Sequence, residues 1–310
     1  MLWILCAAAV APVAHGGDDA RAAYERGRRL YELGQDMPGA RAALDEALRL
    51  DPQLAEAYLY RALVSEDGGG YAASRADFEH AQRLAPGMKE IWRHHAEALL
   101  NAGDPTRAEA YYLVAIALDP GYGEAWYMLG RLYRKKNQLA RAIWAYERDV
   151  ILEPRGSAHH ELGEIFLTRG DDARAQRELE ADLEIDKTCY ESRINLAGLL
   201  LDRGDAAGAR RHFEESLAYH PADGRALSAL GRAYLALGEP ELAIGTLRQA
   251  ADLAPGDERI EGAISDARKA LRWHYGGPFI IAGAVLAGLA LLLLVGYHLR
   301  VRKRVPRTRS

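Results

Sequence analysis

Apolar residues recur with helical spacing along most of the chain. Trp126, Leu129, Gly130 and Tyr133 follow a three-four-seven pattern, and Ala142 and Tyr146 resume it after Asn137. Breaks in the pattern fall on a beat. Pro52, Pro86, Pro120 and Pro154 are each 34 residues apart, Lys187 takes the next slot after 33, and Pro221 and Pro255 restore the period. Midway between them stand Gly34, Gly69, Gly103, Asn137, Gly170, Gly204 and Gly238. Residues of that kind allow the positive φ that a tight turn between two helices needs. The pattern predicts seven copies of one helix-turn-helix unit, and an all-α fold.

A second regularity fixes how the helices touch. First helices carry a small residue at Gly27, Ala62, Ala96, Gly130, Gly163, Ala197 and Gly231. Second helices carry one at Ala40, Ser74, Ala108, Ala142, Ala175, Ala209 and Ala243. Four residues after each of the latter comes a large side chain: Leu44, Phe78, Tyr112, Tyr146, Leu179, Phe213 or Leu247. Small against large at constant offset predicts antiparallel helices fitted ridge into groove.

These residues resemble the tetratricopeptide repeat, over residues 20–256. The resemblance implies an all-α superhelical solenoid of about seven helix-turn-helix repeats whose concave groove, lined mainly by first helices, binds peptides or protein segments. Residues 257–275 are then the capping helix that an open solenoid end needs.

The two ends read as addresses. Phe279 to Leu299 contains no Asp, Glu, Lys or Arg over 21 residues, enough for about 31 Å of helix and a single membrane crossing. Gly276, Gly277 and Pro278 are expected to separate this transmembrane helix, residues 279–299, from the cap. Residues 1–16 read as a signal peptide, with an apolar stretch and small residues around Ala14-His15-Gly16. The alternative is a short hydrophobic segment that is retained. Charge sharpens the picture. The sum is −4, yet residues 300–310 hold six basic residues and no acid, so residues 1–299 carry −10. A basic tail after an apolar run is expected on the cytoplasmic side, which places the repeats outside the cytoplasm in the periplasmic or extracellular space. An acidic body without a basic stripe excludes nucleic acid as a partner.

Two repeats depart from the pattern. Asp149 and Asp182 replace a small residue late in second helices, and His159 and Arg193 stand where Trp92 and Trp126 stand earlier. Matched acids and bases suggest interface pairs, Asp149 with His159 and Asp182 with Arg193, that fix register. The alternative is that each Asp reaches solvent.

Chemistry is sparse. No nucleophile elbow, phosphate loop, dinucleotide fingerprint or zincin motif occurs. No catalytic, cofactor or metal site is expected, and the chain reads as a non-enzyme. The groove is the remaining candidate. Tyr127, Arg131 and Arg134 share one helix face, with Arg93 and Glu97 on the repeat before and His160 and Glu164 on the repeat after. Tyrosine and arginine combine contact area with directed hydrogen bonds.

The sequence thus predicts a membrane-anchored scaffold that recruits a protein or peptide partner. The excess of arginine, 34 against 6 lysines, points to a GC-rich genome and a bacterial cell envelope. The alternative is an accessory subunit of an envelope enzyme, secretion or transport complex. It would associate partly through its span, where Gly283 and Ala287, and Ala284 and Gly288, are small residues four apart.

Overall fold

A computed structural model of the chain describes residues 16–152 and 156–304; at 276–284 and 294–304 it describes the backbone alone. The expected signal peptide lies outside the described residues, as does residue 305 onward of the basic tail. All fifteen elements among the described residues are helices. They fall into two compact units, residues 1–165 and 166–310.

The first unit holds α1 (Gly16–Glu32), α2 (Met37–Leu50), α3 (Ala55–Gly69), α4 (Tyr71–Leu84), α5 (Lys89–Asn101), α6 (Pro105–Leu118), α7 (Gly123–Lys135) and α8 (Leu139–Leu152), with most of α9 (Gly156–Thr168). Neighbours pack in sequence order: α1 on α2, α3 on α4, α5 on α6 and α7 on α8. Helix α1 also touches α3, α3 touches α5 and α5 touches α7, so these first helices line up side by side.

The second unit holds α10 (Asp172–Ile185), α11 (Tyr190–Asp202), α12 (Ala206–Tyr219), α13 (Gly224–Ala236), α14 (Pro240–Leu253) and α15 (Glu258–Arg304). Here α11 packs on α12 and α13 on α14, and α15 closes the end against both α13 and α14. Ile260, Ile264 and Ala267 of α15 join Leu227, Ala243 and Leu247 in one buried cluster.

Local chemistry explains the boundaries. Asp36, Asp104, Asp171 and Asp205 each cap a second helix by accepting the backbone N–H three residues on. Proline occupies the first turn of α2, α6 and α14, where its missing N–H costs nothing. Between paired helices one residue turns left-handed. At Asn137 φ is 56°, and at Gly103 it is 82°. The next N–H can then return to a carbonyl five residues back, as Gln138 does to Tyr133 at 2.8 Å. In the second repeat the left-handed residue is Gly70, with φ 71°, and not the expected Gly69. Helix α3 absorbs Gly69 as its last residue, and α4 starts directly after Gly70.

The small and large residues mesh as expected. Leu44, Phe78, Tyr112, Tyr146, Leu179 and Leu247 are fully buried. A Cβ built on Gly27 would lie 2.7 Å from Leu44 Cγ, one on Gly130 2.6 Å from Tyr146 Cε1, and one on Gly231 2.5 Å from Leu247 Cγ. No methyl fits at those distances, so glycine lets the second helix press against the first helix backbone.

The C-terminal region departs from expectation. Helix α15 runs unbroken for 47 residues through Gly276, Gly277 and Pro278, so cap and apolar run form one helix. Three helix-disfavouring residues in sequence suggested a break. A proline removes one backbone hydrogen bond, and the turns on either side hold the helix. Among the described residues no helix is long and apolar enough to cross a membrane. The expected span at 279–299 falls largely on positions whose side chains are outside the described set. Its described stretch, residues 285–293, is exposed throughout, including Leu286, Leu289 and Leu293.

Candidate functional site

In the first unit, first helices α5, α7 and α9 bring their polar faces together. Arg131, Arg134 and Lys135 of α7 line a cavity of about 520 Å³ with Glu97 of α5 and Glu161 of α9. Its apolar and aromatic walls are Leu100, Met128, Tyr112 and Tyr146. Arginines at i and i+3 share a helix face, which is why both reach this space.

The two arginines differ in how they are held. Arg134 bridges to α9, with one nitrogen on Glu161 and the other 2.7 Å from Glu164 Oε2. His160 Nε2 stands 3.5 Å from Glu164 Oε1 on the same helix. Arg134, His160, Glu161 and Glu164 therefore form one rim cluster that ties α7 to α9. Arg131 is exposed, and the contact described for its guanidinium is Met128 Sδ at 3.9 Å. A thioether is a weak acceptor, so Arg131 keeps its donors for other groups.

Arg93 does not take its expected place on the groove surface. It is 9% exposed, and its Nε donates to Tyr122 Oη at 2.8 Å. Its other contacts are Glu97 and Glu124, each at 3.4 Å, and His94 Nε2. This arginine joins α5 to the start of α7 and belongs to the framework. Burial, then the charge of Arg93, pushes the His94 imidazole down to about 3. Burial lowers His95 to about 4, where the ring stacks on Phe78 at 4.8 Å and meets Tyr71 Oη at 3.0 Å.

Tyr127 is half-buried, its ring 5.7 Å from that of Tyr146, and burial raises its phenol pKa. It is not among the residues that line the cavity. Tyr112, Tyr146, Met128, Asn101 and Glu161 line the cavity although the sequence reading singled none of them out for it. The signal was present for the tyrosines. They occupy the large-residue slot that is leucine or phenylalanine in the other five repeats.

The expected interface pairs fare differently. Arg193 is buried, and its guanidinium bonds to Glu215 and to the carbonyl of Lys187, so it does not pair with Asp182. That carbonyl lies six residues back. Trp92 Nε1 donates to Pro86 O at 2.8 Å and Trp126 Nε1 to Pro120 O at 3.1 Å, also six residues back. Arg193 thus takes over a tryptophan's bond, and the matched charges in sequence reflect that substitution. Asp182, 2% exposed, hydrogen-bonds with Cys189; burial first, then this bond, raises the thiol pKa. Asp149 is buried at 1% exposure and His159 half-buried in the first unit.

Profiles described as tetratricopeptide repeat match residues 24–89, 93–158 and 200–267. The chain belongs to the tetratricopeptide repeat family. Solved structures agree on the fold. The C-terminal part of a tetratricopeptide repeat-containing protein from Cytophaga hutchinsonii is similar at TM-score 0.62 and 15% identity, covering 78% of this chain and 99% of that one. A tetratricopeptide repeat protein from Parabacteroides merdae gives 0.52 and 17%, covering 81% and 100%. YrrB, described as a tetratricopeptide repeat protein with an unusual peptide-binding site, gives 0.55 and 22%, covering 60% and 96%. No curated protein sequence matches the chain. The cavity takes its lining from first helices α5, α7 and α9 and, at Tyr112 and Tyr146, from second helices α6 and α8.

Proposed function

We propose that this tetratricopeptide repeat protein is a non-enzymatic scaffold that captures an extended segment of a partner protein in the groove of its first unit. The observation that carries this reading is Arg131, a guanidinium open to solvent on the wall of a 520 Å³ cavity with aromatic and thioether neighbours. Arginine beside aromatic surface is what interface hot spots are made of. YrrB, of related fold, has a peptide-binding site by its description. Panning the full chain against a random octapeptide library tests the reading. Enriched peptides should bind the wild type and lose binding to Arg131→Glu while its helical circular dichroism is unchanged. Enriched peptides that bind both proteins equally would remove this groove from the function.

The setting we propose is a bacterial cell membrane, with the repeats outside the cytoplasm. Support comes from the 21 uncharged residues of Phe279–Leu299, the basic residues after them, and the exposed leucines of the described part of that run. Alkaline phosphatase fused after residue 275 should be active in a bacterial host; an inactive fusion with full-length expression argues for a cytoplasmic body. The exposed Leu286, Leu289 and Leu293 also support a second reading, an accessory subunit that meets its partner through this helix. Replacing the run with an unrelated apolar segment should leave a scaffold active and disable such a subunit.

A further inference from the structure

We propose that the outward face of α8 is a contact between two copies of this chain, whose α8 helices pack side by side and run in the same direction. The contact uses none of the residues that line the groove cavity, and it stands or falls apart from the groove reading.

Two side chains on this face have no counterpart in the other repeats. Trp144 comes two residues after the small residue of its helix, a slot that holds alanine, arginine or glycine in the other six, as at Ala76 and Arg177. Ile151 comes five after the large residue, a slot that elsewhere holds alanine or a charge, as at Arg83 and Glu184. The repeat fold therefore does not call for bulk at either place. Trp144 is nonetheless 44% exposed and Ile151 72%. The Trp144 ring meets that of Trp126 edge to face at 4.8 Å, and with Pro120, Arg148, Ile151 and Leu152 the two rings line a cavity of about 250 Å³. Large apolar side chains gathered on an outer surface mark a place where something docks.

Charge chooses the occupant and its direction. At about 100° per residue, Trp144 and Ile151 lie within about 20° of each other around the helix, and Glu147 and Arg148 flank them about 50° to either side. Glu147 and Arg148 are exposed, and among the described residues neither is in an ion pair. Arg141, on the same face, is already held by Glu109 at 2.8 Å. An apolar centre with one acid and one base on opposite flanks is complementary to itself, as a two-fold contact requires. With the helices running the same way, Trp144 and Ile151 meet the partner's Trp144 and the partner's Ile151. Glu147 then faces the partner's Arg148, and this happens on both sides. Helices running in opposite directions would instead bring Arg148 against the partner's Arg148. An anionic bilayer surface would be repelled by Glu147. Two turns of one helix bury less than the roughly 800 Å² per partner of a stable interface, so the association depends on concentration.

Sedimentation equilibrium of the full-length protein in detergent micelles, which cover the exposed leucines of α15, tests the contact. Over a wide range of concentration the mass should rise from one chain to two. Trp144→Glu and Ile151→Glu should each weaken the association about tenfold or more, with helical circular dichroism and melting temperature kept by at least Ile151→Glu. Glu147→Arg and Arg148→Glu should each weaken it several-fold, and the two together should restore it, because opposite charges then face one another again. A protein that stays single at every concentration overturns the proposal and leaves this face to a different protein. A dimer that survives Ile151→Glu overturns it too, since the copies then meet elsewhere. Single reversals without effect, or a double reversal that fails to restore, overturn the same-direction pairing on which the proposal rests.

Discussion

Arg193 donates to the carbonyl oxygen of Lys187, the bond that tryptophan makes to proline in two other repeats. The backbone turn before a first helix leaves one carbonyl without a helical partner, and a long side chain with an N–H reaches back to satisfy it. Indole and guanidinium both meet that need.

Arg193→Ala should therefore lower stability by about 0.5–1.5 kcal/mol, the usual net contribution of one hydrogen bond. Arg193→Trp should recover much of that loss, and Arg193→Lys less. Thermal melts followed by circular dichroism decide the ranking; if alanine and tryptophan behave alike, the shared bond is not what position 193 supplies.

Gly130 should tolerate no side chain. Gly130→Ala places a methyl 2.6 Å from the Tyr146 ring, an overlap expected to cost about 1–3 kcal/mol. Combining it with Tyr146→Leu should cost less than the two single changes added together. Additive losses in a double-mutant cycle would show that the close approach is relieved elsewhere.

Mild acid should weaken the first unit. His94 and His95 are held at about 3 and about 4 in the folded chain, below the 6.5 of an exposed imidazole. The unfolded chain takes up these protons first, so stability is flat above neutral pH and falls as pH drops through 6.5 towards 4. Melting temperature should decline between pH 7 and pH 5, and His95→Phe should shallow the decline. A variant with the wild-type slope would assign the acid sensitivity to other groups.

Pairing of Asp149 with His159 remains a proposal with a clean measurement. If the two form an ion pair, a cycle of Asp149→Asn and His159→Gln should give a coupling energy above about 0.5 kcal/mol. Zero coupling would end it.

Much of the fold was legible in the sequence because repeated helix pairs make local demands at fixed offsets. Proline, glycine and the small-large pairs each mark one contact, and Gly27 and Gly231 meet their expected leucines. What was not legible depends on a neighbouring repeat. Arg93 looked like a surface residue until Tyr122, 29 positions on, arrived above it. Asp182 and Arg193 looked like partners because their signs matched, yet Lys187 and Glu215 were better placed.

The unbroken α15 has a mechanical consequence. Its first turns are clamped by α13 and α14, while its exposed leucines lie more than 20 residues further along the same rod. A helix turns by about 100° per residue, so the azimuth at which α13 and α14 present themselves is geared to whatever grips the far end. Inserting one alanine near residue 275 would turn those two helices by roughly that angle relative to the exposed leucines, and inserting seven would nearly restore it. A partner that must be met face to face by the second unit would register the difference even though no contact within that unit had changed.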